Sequence, residues 1–102
     1  MNSELEMTIM NIVVDSGSCR SFAMEAIAMA KEGNFEEAEK NIEEAEKEIL
    51  KAHHSQTDLI QKEAAGEATE ISLLLVHSQD HLMTAMLCKD LAKEFIELYR
   101  KI

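Results

Sequence analysis

Proline and tryptophan are absent from this chain of 102 residues, glycine occurs 3 times, and aromatic residues make up only 4 %. So few turn-forming residues argue against a β sandwich, which needs many tight turns. They also argue against a βαβ nucleotide fold, because no Gly-rich loop is present to hold a phosphate. No apolar run approaches the ~20 residues of a membrane span. The composition therefore predicts an all-α protein with a single domain, residues 1–102.

Acidic residues outnumber basic residues by 20 to 10, which gives a formal net charge of −10. This charge repels nucleic acid and anionic lipid, so neither nucleic-acid binding nor membrane insertion is expected. Cys19 and Cys88 are too few for a disulfide framework, and Met1–Met10 lacks the basic start of a signal peptide. A cytoplasmic location is therefore expected.

Glycines and capping residues divide the chain into three helices. Gly33 and Gly66 are suited to the left-handed position that ends a helix. Asn34 and Thr69 are suited to cap the helices that follow. The predicted helices cover about residues 3–32, 35–65 and 70–101.

Two short connections between long helices imply an antiparallel up-down-up three-helix bundle. A bundle this thin buries proportionately little surface, which is a first indication that the chain forms oligomers. The segment Ser16–Ser18 interrupts the first helical pattern and is interpreted as a kink or a close backbone approach at Gly17.

The third helix has two different halves on a helical wheel. In its second half, a charged arc that includes Lys89 is expected to face solvent, and an arc with Cys88, Leu91 and Phe95 is expected to be buried. In its first half, apolar residues surround the whole helix, so contacts with other subunits are expected to cover it.

A polar stripe lies on the arc of the third helix that is expected to be buried. Its members are spaced i, i+3, i+4 and i+7, and they are His77, Asp80, His81 and Thr84. Buried polar groups need partners, a metal ion or a functional reason. The stripe permits two chemical interpretations, a weak zinc site of three ligands and a nucleophilic imidazole that accepts a phosphoryl group.

The second helix carries a smaller polar group, His53 and Gln56. Because the end of the second helix runs beside the start of the third in an up-down-up bundle, these side chains are expected at about the height of His77. We therefore predict that they lie near the histidine.

The segment Leu74–Met83 resembles the active-site segment of the lactose/cellobiose class of enzyme IIA, a component of the bacterial phosphoenolpyruvate-dependent sugar phosphotransferase system. That family usually has His-Ala-Gln-Asp-His-Leu-Met here, so Ser78 replaces a common alanine. Shorter stretches within Cys19–Gly33, Ala52–Thr57 and Leu59–Gly66 also agree. The resemblance covers the chain from about residue 14 to residue 102.

The resemblance implies that His77 accepts a phosphoryl group from the phosphohistidine of the carrier HPr. It passes the group to a cysteine of the cognate enzyme IIB during uptake of a β-linked disaccharide such as cellobiose, lactose or diacetylchitobiose. We expect Gln56 and His53 to bind the phosphoryl oxygens or orient the imidazole, and His81 to support it.

The resemblance also implies a homotrimer, which is a nine-helix bundle. In it, Asp80 and its symmetry mates share a divalent metal ion, expected to be Mg²⁺, at the threefold axis. Three converging carboxylates repel one another, and a cation relieves that repulsion. No organic cofactor is expected.

Two other functions remain open at this point. One is a histidine phosphotransfer module of two-component signalling, although such modules usually have four helices. The other is a trimeric helical adaptor that assembles around a metal ion and has no enzymatic activity.

Overall fold

The computed structural model describes residues 3–102 as three long helices. They are α1 (Ser3–Lys31), α2 (Phe35–Ala64) and α3 (Leu73–Lys101). The bundle measures 51 × 21 × 19 Å, a rod about as long as one of its helices. Residues 1 and 2 of the predicted domain lie outside the described residues. Among residues 3–102, no helix is both long and apolar enough to cross a bilayer.

Contacts between α2 and α3 show that these helices are antiparallel. The Arg100 guanidinium near the end of α3 lies over the Phe35 ring at the start of α2, 4.7 Å from its centroid. At the other end of the pair, Gln56 of α2 contacts Gln79 of α3. The helix α1 packs along both partners, as an up-down-up bundle requires.

Both predicted glycine stops are present. Gly33 and Gly66 have positive φ angles of 78° and 90°, which a residue without Cβ adopts at little cost. After α1, the amide of Asn34 donates to the Met29 carbonyl at 2.9 Å, which satisfies an otherwise unpaired group of the last turn. Asn34 then caps α2, because its side chain accepts from the Glu37 amide at 3.3 Å.

The helix α3 begins three residues later than predicted, and Ser72, not Thr69, is its cap. The Ser72 hydroxyl accepts from the Leu75 amide at 3.1 Å. Both residues are of a type that caps helices, so composition alone does not choose between them. Leu75 is the first buried residue of α3. Its packing against the other helices fixes where the first turn of α3 forms, and Ser72 is the capping residue of that turn.

A single apolar seam holds the three helices together. Its residues alternate by steps of three and four, the spacing of helices that wind around one another. Many of them are alanines, whose small side chains allow close packing. The buried residues of the seam are Ile9, Ile12, Ser16, Cys19, Ala23, Ala26 and Ala30 of α1, Ala38, Ile42, Ala45, Ile49 and Ala52 of α2, and Leu75, Ser78, Leu82, Ala85, Ala92 and Ile96 of α3.

Lys89 occupies the position that this seam skips between Ala85 and Ala92. Only 17 % of its side-chain surface is accessible to solvent, and its Nζ lies 2.8 Å from Asp90 Oδ1. The predicted solvent-facing arc is therefore wrong at Lys89. A lysine tolerates this position because its apolar stem packs in the seam while the ammonium reaches a carboxylate at the edge.

The opposite side of α3 carries a second seam with the same spacing, which the single chain leaves uncovered. Leu91 and Phe95, predicted to be buried, are 48 % and 41 % exposed. The expectation that the polar stripe is buried is likewise wrong for the subunit, because only the first seam packs inward. We define the exposed α3 face by its residues Leu73, His77, Asp80, Thr84, Leu87, Leu91 and Leu98.

The helix α1 continues without interruption through Ser16–Ser18. A Cβ built on Gly17 would meet no atom within 4 Å, so the predicted close backbone approach is wrong in this chain. Ser16 is fully buried instead, and within residues 3–102 its Oγ has no hydrogen-bond partner. A buried hydroxyl without a partner destabilises the fold.

We predict that Ser16→Ala raises the free energy of unfolding by about 1 kcal/mol or more, because it removes this hydroxyl and improves helix propensity. Urea unfolding at fixed protein concentration measures the change. Ser21→Ala, at an exposed position of the same helix, is the matched control for propensity alone. A gain no larger than that of Ser21→Ala would contradict the prediction.

Candidate functional site

His77 lies on the exposed α3 face, little more than one turn from the start of the helix. The first turn of α3 contains no acidic residue, so the positive end of the helix dipole is not neutralised by a carboxylate of that turn. An anionic group attached to the imidazole would therefore be in a favourable field.

His77 and His81 form a pair one helical turn apart. Their ring centroids are 4.5 Å apart, and the planes meet at 72° in an edge-to-face arrangement. His77 is exposed and His81 is half-buried, so His81 is the more firmly held ring of the two. The two rings therefore lie side by side, as residues spaced i, i+4 on one helix do.

A chain of hydrogen bonds ties the turn that carries His77 to α2. The Gln56 amide nitrogen donates to Gln79 Oε1 at 2.6 Å, and the Gln79 amide nitrogen donates to Ser78 Oγ at 3.3 Å. The buried Ser78 hydroxyl in turn donates to the Leu75 carbonyl at 2.6 Å. The residues on both sides of His77 are thus fixed relative to α2.

Gln56 is linked to the turn of His77 indirectly, by its hydrogen bond to Gln79. Among residues 3–102, the Gln56 side chain makes no hydrogen bond to His77. Sequence reasoning did not single out Gln79, although it lies between His77 and His81 in the motif, because its link to α2 depends on the packing of two helices. The serine at position 78 was noted only as a replacement, and its hydroxyl completes the hydrogen-bond chain.

His53 lies away from this hydrogen-bond chain, on the exposed side of α2. It borders a shallow, mainly apolar groove with Ile49, Leu50 and Met86. Within the described part of the chain, the only ring contact of His77 is with His81. The structure therefore brings Gln56 close to the motif and leaves His53 about one helical turn further along the bundle.

The carboxylate of Asp80 lies on the exposed α3 face. Within residues 3–102 this carboxylate has neither a hydrogen-bond donor nor an ion-pair partner, and no group of three side chains suited to bind a metal ion is present. The backbone carbonyl of Asp80 accepts from the Thr84 hydroxyl at 2.9 Å. An isolated carboxylate without further oxygen ligands beside it does not hold Mg²⁺, so Asp80 fits such an ion only together with carboxylates of other copies.

The two cysteines do not belong to the motif. Cys19 is buried in the seam, and burial raises the pKa of its thiol to about 11. At neutral pH this thiol is protonated and unreactive, because the thiolate is the nucleophilic form. Cys88 is half-buried and also unpaired. His77 is thus the more accessible nucleophile.

An exposed histidine in a braced turn of a three-helix bundle is consistent with a phosphoryl carrier, and comparison with known proteins decides the family. The family model described as "PTS system, Lactose/Cellobiose specific IIA subunit" matches residues 7–100. The chain belongs to this family. It is therefore a phosphoryl-carrying component of the sugar phosphotransferase system.

Individual relatives match this chain over more than nine tenths of their own length. The lichenan-specific phosphotransferase enzyme IIA component of Bacillus subtilis is 59 % identical, over 100 % of this chain and 93 % of the relative. The crystal structure of the cellobiose-specific enzyme IIA from Bacillus anthracis has a TM-score of 0.95 at 51 % identity, covering 99 % of this chain and 93 % of that chain.

A third relative was solved together with a partner protein. It is the IIA(chitobiose)–HPr complex of the Escherichia coli N,N'-diacetylchitobiose branch, with a TM-score of 0.83 at 40 % identity. The match covers 98 % of this chain and 97 % of that chain. Family membership decides against a two-component phosphotransfer module and against an adaptor without activity.

Proposed function

We propose that His77 is the phosphoryl acceptor of this IIA component. The observation that carries the proposal is the exposed imidazole of His77. The turn that bears this imidazole is held against α2 by the hydrogen bond from Gln56 to Gln79. The donor is phospho-HPr, and the acceptor in the next step is a cysteine of the cognate enzyme IIB.

The chemistry consists of two displacements at phosphorus. A neutral imidazole nitrogen of His77 uses its lone pair to form the new N–P bond, while the N–P bond of phospho-HPr breaks and its electron pair returns to the HPr imidazole. The IIB thiolate then forms an S–P bond, and the His77 imidazole leaves as a neutral ring. Positioning and charge stabilisation are the main requirements, because no further general acid or base is needed.

Neighbouring side chains support this transfer in different ways. His81, in edge contact with His77, restricts the orientation of the nucleophilic ring. Gln56 is a positioning residue that acts through Gln79. His53 borders the groove with Leu50 and Met86, and we assign it a role at the edge of the partner interface.

We infer further that the working unit is a homotrimer assembled through the exposed α3 face. His77 lies at the edge of this face, on the side of His81, so partner proteins still reach its imidazole in the assembly. Its leucines repeat with coiled-coil spacing and are uncovered in the subunit, so association of three α3 helices would remove them from water. Asp80 lies within this face, and three such carboxylates at one axis would hold a Mg²⁺ ion through their oxygens. The ion would relieve their mutual repulsion; it takes no part in the transfer.

The substrates of the pathway are proposed from the relatives. Lichenan-, cellobiose- and diacetylchitobiose-specific proteins are among them, which favours a β-linked disaccharide. We propose a cytoplasmic location, since HPr and the IIB cysteine must both reach His77 in turn.

Incubation with phosphoenolpyruvate, enzyme I and HPr tests the proposed function. The chain should acquire one acid-labile phosphoryl group and lose it when a cognate IIB is added. A chain that stays unphosphorylated, or that retains the group in the presence of several IIB proteins of this class, would contradict the proposal.

We predict that a chelator lowers the thermal stability of the wild-type trimer and has no effect on Asp80→Asn. The asparagine removes the charges that the ion compensates, so its assembly should no longer depend on the metal. Thermal unfolding with and without EDTA measures the difference. Equal responses of the two proteins would contradict a role of Asp80 in metal binding.

A further inference from the structure

We propose that His77 and His81 together form a binding site for a divalent transition-metal ion such as Zn²⁺, Ni²⁺ or Cu²⁺. This site is separate from the oxygen-ligand site proposed for three Asp80 carboxylates.

The geometry of the pair suits a shared metal ion. Residues four apart project from the same side of a helix, and the two ring centroids are already 4.5 Å apart. His77 is exposed, and among residues 3–102 His81 is the only ring that it contacts, so rotation about the His77 side-chain bonds brings one nitrogen of each imidazole toward a common ion. His81 is half-buried and provides the fixed member of the chelate.

The imidazole nitrogens of the pair have no other bonding partner among the residues that the structure describes. Over residues 3–102, neither ring takes part in a hydrogen bond or an ion pair, and the hydrogen bond at His81 uses only its backbone carbonyl. His54, by contrast, has Asp58 one turn further, with 4.0 Å between Nε2 and Oδ2, and has no imidazole one turn away on its own side of the helix. The pair on α3 therefore has two unoccupied donors of one kind.

Two imidazole ligands favour particular metal ions. Neutral imidazole suits Zn²⁺, Ni²⁺ and Cu²⁺, whereas Mg²⁺ prefers oxygen ligands and retains its water. Two imidazoles are fewer than the three protein ligands of a typical catalytic zinc site, so water would complete the coordination. We expect exchangeable binding that follows the order Cu²⁺ above Ni²⁺ and Zn²⁺, with no detectable contribution from Mg²⁺.

A consequence follows that rests on the proposed function. A metal ion on the His77 lone pair and a phosphoryl group compete for the same imidazole. Zn²⁺ is therefore expected to slow phosphoryl uptake in proportion to site occupancy, and phosphorylation is expected to weaken Zn²⁺ binding.

The test is a titration of the full-length protein with zinc chloride, followed by the NMR signals of the histidine rings. We expect the His77 and His81 ring signals to shift together, and magnesium chloride to leave them unchanged. His81→Gln should weaken Zn²⁺ binding by about tenfold or more. The matched control His54→Gln should bind as the wild type does.

Two results would overturn the proposal. One is unchanged Zn²⁺ affinity in His81→Gln. The other is binding lost in Asp80→Asn and kept in His81→Gln, which would assign the ion to the carboxylate. A failure of the proposed function can be told apart from a failure of the metal site. A protein that binds Zn²⁺ at the pair but takes no phosphoryl group from phospho-HPr would refute only the assignment of His77 as the carrier residue.

Discussion

His77→Gln is expected to lower phosphoryl uptake from phospho-HPr by about a thousandfold or more, because it removes the nucleophile itself. Glutamine is similar in size and polar, and the exposed position of His77 gives the fold no reason to change. Radioactive phosphoryl transfer from phosphoenolpyruvate through enzyme I and HPr measures the loss.

The matched control is His54→Gln, an exposed histidine of α2 whose nearest charged neighbour is Asp58. It should transfer phosphoryl groups at the wild-type rate. His81→Gln should reduce the rate without abolishing it, since this ring only restricts the nucleophile. A His77→Gln protein that is phosphorylated as fast as the control would contradict the assignment.

Leu91→Glu, alone or with Leu87→Glu, is expected to convert the proposed trimer into monomers. Both leucines lie on the exposed α3 face and are 48 % and 59 % exposed in the subunit, so the subunit itself loses little packing. In the trimer, each change would bring three carboxylates into one apolar seam, where charge is costly and like charges repel. Molar mass by light scattering and helix content by circular dichroism measure the two effects.

Leu50→Glu is the control for this change, because Leu50 is a still more exposed leucine that lies on α2. The trimer should persist in that variant. A wild-type chain that is monomeric at all concentrations, or a Leu91→Glu chain with the molar mass of the wild type, would contradict assembly through the exposed α3 face.

Features of the fold that depend on a few adjacent residues were predictable from the sequence. The ends of α1 and α2 follow from Gly33 and Gly66, and the start of α2 follows from Asn34, because each works through hydrogen bonds within one turn. The start of α3 was not predictable in the same way. Thr69 and Ser72 have equivalent capping chemistry, and the packing of Leu75 decides between them.

The face of α3 that packs inward was the main feature that the sequence did not determine. Two seams with the same spacing lie on opposite sides of this helix, and both contain leucines. Periodicity identifies seams, but it does not tell which seam contacts α1 and which remains exposed. Leu91 and Phe95 were therefore predicted as buried, and Lys89 as exposed, when the reverse is true of the subunit.

The site itself was predictable to the extent that it is local. His77, Asp80 and His81 lie within two turns of one helix, so their proximity follows from helical spacing. The hydrogen bond from Gln56 to Gln79 joins two helices, and its exact partner depends on their relative rotation. For the same reason the position of His53, one turn from Gln56 and beside the groove with Leu50 and Met86, did not follow from the sequence.

The most direct test of the account is to identify the phosphorylated residue of the wild-type chain. After incubation with phosphoenolpyruvate, enzyme I and HPr, fragmentation mass spectrometry under alkaline conditions preserves phosphohistidine and locates it. We predict one phosphoryl group per chain, on His77, that is lost in acid and on addition of IIB. A phosphoryl group on Cys88, His81 or His53, with His77 unmodified, would contradict the account.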